Sequence, residues 1–290
     1  MTGKPTRIVD AHVHIWDPAR TDWYPYLSAT RGEVPGGASG MSRVFEVATY
    51  KSETARWNVE KFVNVAAATG RYSVEETIEL DREAAGRGGP DAIIGGLPPT
   101  DTVAEAIGLI DRQLTASRFR GVRPMGGLDR PVPEPEVLRA LHERGLVFEL
   151  LTHPDQLVSA AAKLADFDEL VVVIEHTGWP RSNSDDERKL FEAGIDALAA
   201  LGSNVFCKLS GLAVPCRSMK SDALAPWLEY ALEAFGTERC MFASNFPVDS
   251  AFGTFDDLYE TFSAVTSGLD AESRDKLFAG NAESVYRLNS

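Results

Sequence analysis

The sequence predicts an α/β protein that folds as a single (β/α)8 TIM barrel. Eight short apolar runs recur along the chain, and segments with helical periodicity stand between them. Strands that are buried on both faces appear as short apolar runs, whereas surface helices carry apolar residues at a period of 3.6. This alternation implies a parallel sheet with crossover helices, and eight repeats of the unit favour a closed barrel over an open sheet.

The apolar runs define the predicted strands. In chain order they cover residues 7–15, 60–68, 91–97, 119–125, 146–152, 170–176, 204–210 and 239–245. Most of the predicted helices follow Ser, Thr, Asp or Pro, and several end at Gly, as helix caps favour. They cover residues 74–86, 102–114, 134–144, 154–165, 186–201 and 223–235. Two further C-terminal helices, 255–269 and 271–288, are expected to cover the barrel.

Length and composition are those of one domain. The 290 residues, 44% of them hydrophobic, suffice for a barrel of ~250 residues. No linker or low-complexity segment divides residues 1–290. One long irregular segment, 16–45, is rich in aromatic residues and glycine. Aromatic content argues against disorder, so we predict that this segment is an N-terminal lid loop over the barrel mouth.

Net charge and cysteine content narrow the class of partner. The net charge of −14 and the pI of about 4.8 disfavour nucleic acid and anionic membranes as partners. Cys207, Cys216 and Cys240 form no C-x-x-C pair, as expected of buried thiols in a reducing compartment. The N-terminus lacks the apolar region of a signal peptide, and no apolar run approaches the ~18 residues of a membrane span. We therefore expect a cytoplasmic protein that acts on a small molecule, with homo-oligomerisation left open.

Polar residues at the ends of the predicted strands are the candidate site, because the chemistry of such barrels lies at the carboxyl ends of the strands. His12 and His14 end the first strand, and their two-residue spacing points both imidazoles to the barrel interior. The later strands end in Glu149, Thr152, His153, Glu175, His176, Lys208, Ser210, Ser244 and Asn245. Four of the five histidines thus fall at strand ends, where burial requires partners. The fifth, His142, lies in a predicted surface helix.

Glu175 and His176 are consecutive at the end of the sixth predicted strand. Consecutive residues of a strand point to opposite faces, so the two side chains are not expected to face the interior together. We expect His176 to be the inward residue.

Five segments carry a family pattern. They are D-A-H-V-H-I-W-D-P at 10–18, F-R-G-V-R at 119–123, V-I-E-H-T-G-W-P at 173–180, N-V-F-C-K-L-S-G-L at 204–212 and M-F-A-S-N-F-P-V at 241–248. In this order they resemble the landmarks of the amidohydrolase-related family of metal-dependent hydrolases, over nearly the whole chain. Within that family the sequence is similar to lactonases of three kinds, which open sugar lactones such as L-fuconolactone, 2-pyrone-4,6-dicarboxylate, or sulfomuconolactone. The resemblance implies a TIM-barrel hydrolase.

The resemblance also implies roles for three histidines. His12, His14 and His176 would bind a divalent metal, zinc or manganese, or in a metal-independent lactonase would hold and polarise the substrate carbonyl. Both roles are electrophilic. Three neutral imidazoles suit zinc best.

The chain departs from the family pattern at strand eight. The usual G-S-D-W-P run appears as S-N-F-P at 244–247, so that Asn245 replaces the aspartate that ordinarily serves as general base. Three alternatives stay open. Another group, with Glu149 or His153 best placed, takes the base role while Asn245 positions water; or the reaction is a decarboxylation, isomerisation or cyclisation; or the chain is a non-catalytic small-molecule binder.

Arginines near the barrel mouth suggest an organic acid as substrate, because Arg binds carboxylates bidentately. Resemblance to the dicarboxylate lactonases implies that Arg123 and Arg181 hold substrate carboxylates. Arg20 and Arg31, in the predicted lid, add positive charge. Surface ion pairing is the alternative for Arg123 and Arg181.

The working hypothesis is hydrolysis of a small carboxylate-bearing lactone or related cyclic ester. Water would attack a carbonyl that His12, His14 and His176 polarise, with or without a metal. Trp16 is expected to line the substrate site. Lys208 would either contact the substrate or pair with a buried carboxylate.

Overall fold

The eight predicted strands form one parallel sheet in the computed structural model, which describes residues 3–27, 41–126, 128 and 130–288. The strands pair in sequence order from the first to the eighth. They are β1 (Ile8–Val13), β2 (Val59–Val65), β3 (Ala92–Leu97), β4 (Phe119–Pro124), β5 (Val147–Leu150), β6 (Val172–Ile174), β7 (Val205–Leu209) and β8 (Cys240–Phe242). The predicted (β/α)8 barrel is confirmed. Most strands are shorter than their apolar runs, so several polar residues predicted at strand ends lie in the loops that follow.

Helices surround the sheet. They are α1 (Val47–Glu53), α2 (Tyr72–Arg87), α3 (Val103–Gln113), α4 (Pro135–Glu143), α5 (Pro154–Leu164), α6 (Asp185–Ala199), α7 (Ala213–Cys216), α8 (Ser221–Phe235), α9 (Phe255–Val265), α10 (Ala271–Asp275) and α11 (Asn281–Val285). The short helices α1 and α7 were not predicted. Several helices begin where a side chain accepts a first-turn amide, namely at Thr102, Ser184, Thr254 and Asp270. Within the described ranges, no helix is long and apolar enough to cross a membrane.

The barrel closes between β1 and β8. Val13 forms a parallel bridge with Phe246, and the His14 amide donates to the Phe246 carbonyl at 2.8 Å. Asp10, fully buried, lies beside this seam: its Oδ1 accepts from the Ser244 amide at 2.8 Å, and its Oδ2 accepts from the Tyr50 hydroxyl at 2.8 Å. One carboxylate therefore ties β1 to β8 and to helix α1.

The C-terminal helices close the amino end of the barrel. Arg7, just before β1, pairs with Asp275 at 2.8 Å and with Glu283 at 2.5 Å. Arg120, at the start of β4, donates from Nε to the Tyr286 carbonyl at 2.9 Å. The Tyr286 side chain belongs to the inner apolar cluster, to which β1, β2, β3, β5, β6 and β8 contribute. The second of the two expected C-terminal helices, 271–288, is divided into α10 and α11 and covers the barrel floor. The first corresponds to α9, whose Phe262 stacks on Phe242 of β8.

The predicted lid is described only in part, since residues 28–40 lie outside the described ranges. Its first half packs tightly. Trp16 and Tyr24 are buried, and Trp16 pairs with Phe45 in an isolated antiparallel bridge. Residues 16–27 and 41–45 therefore form part of the wall of the barrel mouth, whereas closure over the site remains a prediction.

The seam gives a stability prediction. Asp10→Ala leaves two amides and the Tyr50 hydroxyl without their acceptor, and we expect it to lower the free energy of unfolding by about 3 kcal/mol. Tyr50→Phe removes one donor only and should lower it by about 1 kcal/mol. Urea unfolding at constant m-value measures both. Equal losses for the two variants would contradict a central role for the carboxylate.

Candidate functional site

β1 delivers His12 and His14 to the barrel interior. Ala11 already belongs to the inner apolar cluster, so strict alternation would turn His12 outward. The pairing of β1 with β2 is irregular between Asp10 and Val13, and this irregularity lets both histidines lie buried inside the mouth. Their Nε2 atoms are 3.2 Å apart. The sequence spacing predicted the correct placement, but a local irregularity produces it.

The hydrogen bonds of His14 define its tautomer. Its Nδ1 lies 2.8 Å from the Val65 carbonyl oxygen, which can only accept, so Nδ1 carries the proton. Neutral His14 therefore presents the Nε2 lone pair toward His12. Trp16 stacks on the His14 ring, with ring centroids 5.5 Å apart and an interplanar angle of 8°. The indole thus lies parallel to the imidazole, and contact of Trp16 with a substrate stays a prediction.

The expectation that Glu175 and His176 could not face the interior together is wrong. β6 ends at Ile174, and Glu175 begins a tight turn in which His176 has a φ of 54°. Strand alternation does not apply to such a turn, so both side chains lie buried at the same place. Donor atoms of His12, Glu175 and His176 all lie within 4.8 Å of one another.

β7 supports the His176 ring. The His176 Nδ1 lies 3.1 Å from the Ser210 hydroxyl, and its ring centroid is 4.5 Å from that of His12. Gly211 has a φ of +69°, and a Cβ added there would lie 2.5 Å from the His176 Cγ. Position 211 therefore requires glycine, because any side chain would displace the imidazole.

Arg123 forms a buried ion pair beside the histidines. Its Nη1 donates to Glu175 Oε2 at 2.9 Å, and its Nη2 donates to the Ala66 carbonyl. Although burial opposes ionisation, the guanidinium lowers the pKa of Glu175 to about 2. Within the described part of the chain, Arg123 Nε has no hydrogen-bond partner. Arg123 thus lies at the site, with one N–H group left for a ligand.

Lys208 pairs with a buried carboxylate, the second of its two expected roles. Its Nζ lies 2.6 and 2.8 Å from the two oxygens of Glu149 and 3.5 Å from His12 Nδ1. The Tyr286 hydroxyl donates to the same carboxylate at 2.7 Å. Burial raises the pKa of Glu149, with the charge of Glu175 adding to the effect against Lys208. Lys208 is fully buried and paired with Glu149 next to His12, and its direct contact with a substrate stays a prediction.

Arg181 and His153 lie at the rim. Arg181 is nearly half exposed and pairs with Asp155 at 3.2 Å and Glu187 at 3.3 Å, so it follows the surface alternative. His153 stacks on Trp179 with ring centroids 5.0 Å apart, and its Nδ1 lies 2.8 Å from the Trp179 carbonyl. The Nδ1 proton leaves a lone pair on His153 Nε2.

The two lid arginines have different outcomes. Arg20 pairs with Glu79 of α2 at 2.5 Å, and its guanidinium lies 3.3 Å from the Trp23 ring centroid. Arg31 lies outside the described residues. Arg20 is thus engaged by Glu79, and the expectation for Arg31 stays a prediction.

Asn245 stands on a strained turn after β8, with a φ of 56°. Its side-chain Nδ2 donates to Asp249 Oδ1 at 2.8 Å, and its backbone N–H donates to the His12 carbonyl at 2.9 Å. Among the described residues, Asn245 Oδ1 has no donor. Burial raises the pKa of Asp249 to about 7. The side-chain amide of Asn245 is thereby oriented, with Oδ1 available to a ligand and Nδ2 against the Asp249 carboxyl group.

Some of these residues escaped the sequence analysis. Asp249, Tyr26 and Tyr286 were not proposed for the site, and Glu175 was expected to face away. For Asp249, its position four residues after Asn245 was a signal in the sequence, since a turn can bring two such residues together. Tyr26 contacts Trp16 edge-on and donates to the Ala67 carbonyl at 2.9 Å, whereas Tyr286 reaches the lumen only through the C-terminal helices.

The three histidines are held neutral. Burial lowers the pKa of His12 well below its ordinary value, that of His14 to about 3 and that of His176 to about 4. The charge of Arg123 acts in the same direction on all three. Neutral imidazoles are the form that binds a metal or takes part in hydrogen bonds to a carbonyl.

This electrostatic arrangement predicts a pH dependence. The three imidazoles should show no protonation between pH 5.5 and 8 in NMR spectra of the folded protein. Unfolded histidines titrate near ~6.5, so the unfolded chain takes up more protons and the free energy of unfolding should fall as the pH drops below that value. An imidazolium signal from any of the three above pH 5.5 would contradict the buried arrangement.

Comparison with known proteins identifies the family. The amidohydrolase family model matches residues 9–288. L-fucono-1,5-lactonase of Burkholderia ambifaria is 28% identical over 297 residues, which cover 97% of this chain and 96% of the relative. A crystal structure of an amidohydrolase from Burkholderia multivorans with bound zinc matches with a TM-score of 0.79 at 24% identity, over 97% of this chain and 99% of that one.

The same fold carries other chemistry. 5-Carboxyvanillate decarboxylase from Sphingomonas paucimobilis matches with a TM-score of 0.64 at 14% identity, over 97% of this chain and 99% of that one. At this identity the likeness concerns the fold alone. The family match confirms the resemblance found in the sequence and the expectation of an enzyme. The chain belongs to the amidohydrolase family.

Proposed function

We propose that the protein hydrolyses a small lactone. The observation that carries the proposal is the convergence of three buried, neutral imidazoles, His12, His14 and His176, at the carboxyl ends of the strands. Neutral imidazoles stabilise the negative charge that develops on a carbonyl oxygen under attack, either through an N–H that faces the oxygen or through a metal ion that their lone pairs bind. Because the Nδ1 proton of His14 is engaged by the Val65 carbonyl, His14 would act in the second way. Water would form a bond to the carbonyl carbon, the ring C–O bond would break, and the leaving alkoxide would take up a proton to give a hydroxy acid. The full match to L-fucono-1,5-lactonase supports a lactone as substrate.

The donor set fits a divalent metal. The His12 and His14 Nε2 atoms are 3.2 Å apart, close to the roughly 3.3 Å between two nitrogen ligands of a tetrahedral zinc ion. His12 also belongs, with Glu175 and His176, to a group of nitrogen and oxygen donors that lie within 4.8 Å of one another and suit zinc or manganese. When bound, the ion would supply Lewis-acid polarisation of the carbonyl. The zinc in the related amidohydrolase from Burkholderia multivorans supports this reading, and a metal-independent site in which the imidazoles act directly is the alternative.

The base is best assigned to a rim residue. Both oxygens of Glu149 contact Lys208, and one of them also accepts from Tyr286, so this carboxylate is poorly placed to take a further proton. His153 is half-buried, and its Nδ1 proton is engaged by the Trp179 carbonyl, which leaves the Nε2 lone pair to accept a proton. We propose His153 as general base, with Asn245 Oδ1 accepting a hydrogen bond from the attacking water.

The charge balance bears on the substrate. Arg123 and Glu175 neutralise each other, and Arg181 is engaged at the surface. One buried N–H, Arg123 Nε, remains to bind a substrate oxygen. We therefore place an uncharged lactone ring first and the carboxylate-bearing lactone expected from the sequence second.

Two non-hydrolytic functions are the alternatives to lactone hydrolysis: a decarboxylation or isomerisation, and small-molecule binding without turnover. Decarboxylation or isomerisation needs no base at position 245, and the shared fold with a decarboxylase makes it the second candidate. A small-molecule binder would retain the pocket without turnover.

The lactone proposal predicts a specific histidine dependence. We expect the protein to open lactone rings, and to do so with a higher kcat/KM for an uncharged lactone than for a carboxylate-bearing lactone of equal ring size. His14→Asn removes the Nε2 lone pair that would bind the metal and should reduce kcat/KM by roughly 100-fold, whereas His142→Asn on the surface should not. Acid release monitors turnover. Acid release by protein treated with a chelator, before and after zinc or manganese is added, tests whether turnover requires a metal. If no lactone is opened under any of these conditions, the proposed hydrolase activity is refuted.

The pair Asn245 and Asp249 predicts a reciprocal exchange. Asn245→Asp alone places two carboxyl groups in contact, so we expect a loss of stability of about 1–3 kcal/mol near neutral pH. Adding Asp249→Asn restores a donor and an acceptor with their positions exchanged, and stability should recover. Thermal unfolding of the two single variants and the double variant forms the cycle. Additive effects would show that the pair is not coupled.

A further inference from the structure

One short loop orients three side chains of the site. We call residues 65–68, at the end of β2, the β2 loop. Its successive carbonyls accept from His14 Nδ1 at Val65, from Arg123 at Ala66 and from the Tyr26 hydroxyl at Ala67. The position of this backbone therefore sets the His14 tautomer, the direction of the Arg123 guanidinium and the place of the Tyr26 ring.

A single buried carboxylate holds the amides of this loop. Glu76 of α2 accepts at Oε2 from the Ala67 amide at 2.9 Å and from the Ala68 amide at 3.1 Å. Its Oε1 accepts from the Tyr24 hydroxyl at 2.8 Å. Glu76 thus joins the β2 loop to the segment that carries Trp16, Tyr24 and Tyr26.

The energetics argue that Glu76 is more than a packing residue. The side chain is 2% exposed, and burying a carboxylate is unfavourable unless several donors compensate. Three donors offset part of this cost, although burial still raises the pKa of Glu76 to about 7. Two of the three are main-chain amides that an apolar residue could not satisfy. Glu79, about one turn later on α2, forms an ion pair with Arg20.

We propose that Glu76 is a positioning residue of the active site, which acts through the β2 loop on His14 and Arg123. The inference rests on the proposed function of that site and adds to it a residue that does not touch substrate. Loss of the carboxylate frees two amides, lets the loop relax and removes the fixed acceptors of both side chains. The reaction should then suffer more than substrate binding, since misplacement of about 1 Å can reduce rates 100-fold.

Substitutions at residue 76 and two controls test this role. Glu76→Ala should lower kcat by roughly 100-fold with a smaller change in KM. Glu76→Gln keeps an oxygen for both amides and should restore kcat to within about threefold, because the Tyr24 hydroxyl can accept from its amide group. Tyr24→Phe removes only the link to the N-terminal segment, and Glu79→Ala removes a surface charge of the same helix. Both should keep kcat within about threefold of the wild type, on the view that neither supports the loop amides.

A spectroscopic readout separates this inference from the proposed function. With nitrogen-15 histidine labels, the two ring nitrogens of His14 report its tautomer without any substrate. We expect one tautomer, protonated at Nδ1, in the wild type and Glu76→Gln, and a mixture in Glu76→Ala. A single unchanged tautomer in folded Glu76→Ala, or equal loss of kcat in Glu76→Gln and Glu76→Ala, would overturn the inference.

Two further outcomes are decisive. If the wild type opens no lactone, the proposed function fails while the tautomer measurement still tests Glu76. If Glu76→Ala does not fold, Glu76→Asp replaces it: the charge remains, but the side chain is one methylene short of the amides. We then expect a mixed His14 tautomer, and a wild-type spectrum for that variant would refute the positioning role.

Discussion

Burial of charge inside the barrel governs the arrangement of the site. Lys208 and Glu149 pair at 2.6 Å with no exposed surface, and Arg123 pairs with Glu175 beside them. Ions removed from water remain charged only when opposite charges and hydrogen bonds replace the lost solvation. Tyr286 supplies one such hydrogen bond to Glu149 from the C-terminal helices. The floor of the barrel and the catalytic mouth are therefore coupled through the same buried carboxylate.

These charges also define the state of the histidines. A low-dielectric interior that contains Arg123 disfavours a further positive charge, so the imidazoles lie near one another without becoming protonated. The three neutral rings meet at His12, whose ring centroid is 4.8 Å from that of His14 and 4.5 Å from that of His176. After β8, Asn245 Nδ2 donates to the Asp249 carboxyl group, which orients the neutral side-chain amide. The residue that distinguishes this chain from the family thus remains part of a hydrogen-bonded pair at the site.

Sequence patterns predicted the barrel and most of its site because they depend on local chemistry. Alternating periods located all eight strands, and strand ends indicated His12, His14, His176 and Asn245. Reasoning from ideal alternation failed at Glu175, because the strand ends one residue earlier and a left-handed turn follows. The same reasoning predicted that His12 faces the interior, but it did not foresee the irregular pairing of β1 between Asp10 and Val13 that allows this placement.

The sequence by itself determined the fold class, the family and the identity of the groups that can do chemistry, because periodicity and residue type are properties of the chain. Only the tertiary structure decided how these groups are paired: Lys208 with Glu149, Arg123 with Glu175, Arg181 with surface carboxylates, and Asn245 with Asp249. Pairing depends on distances between strands and loops that are far apart in sequence. Which charges remain available to a substrate follows from that pairing.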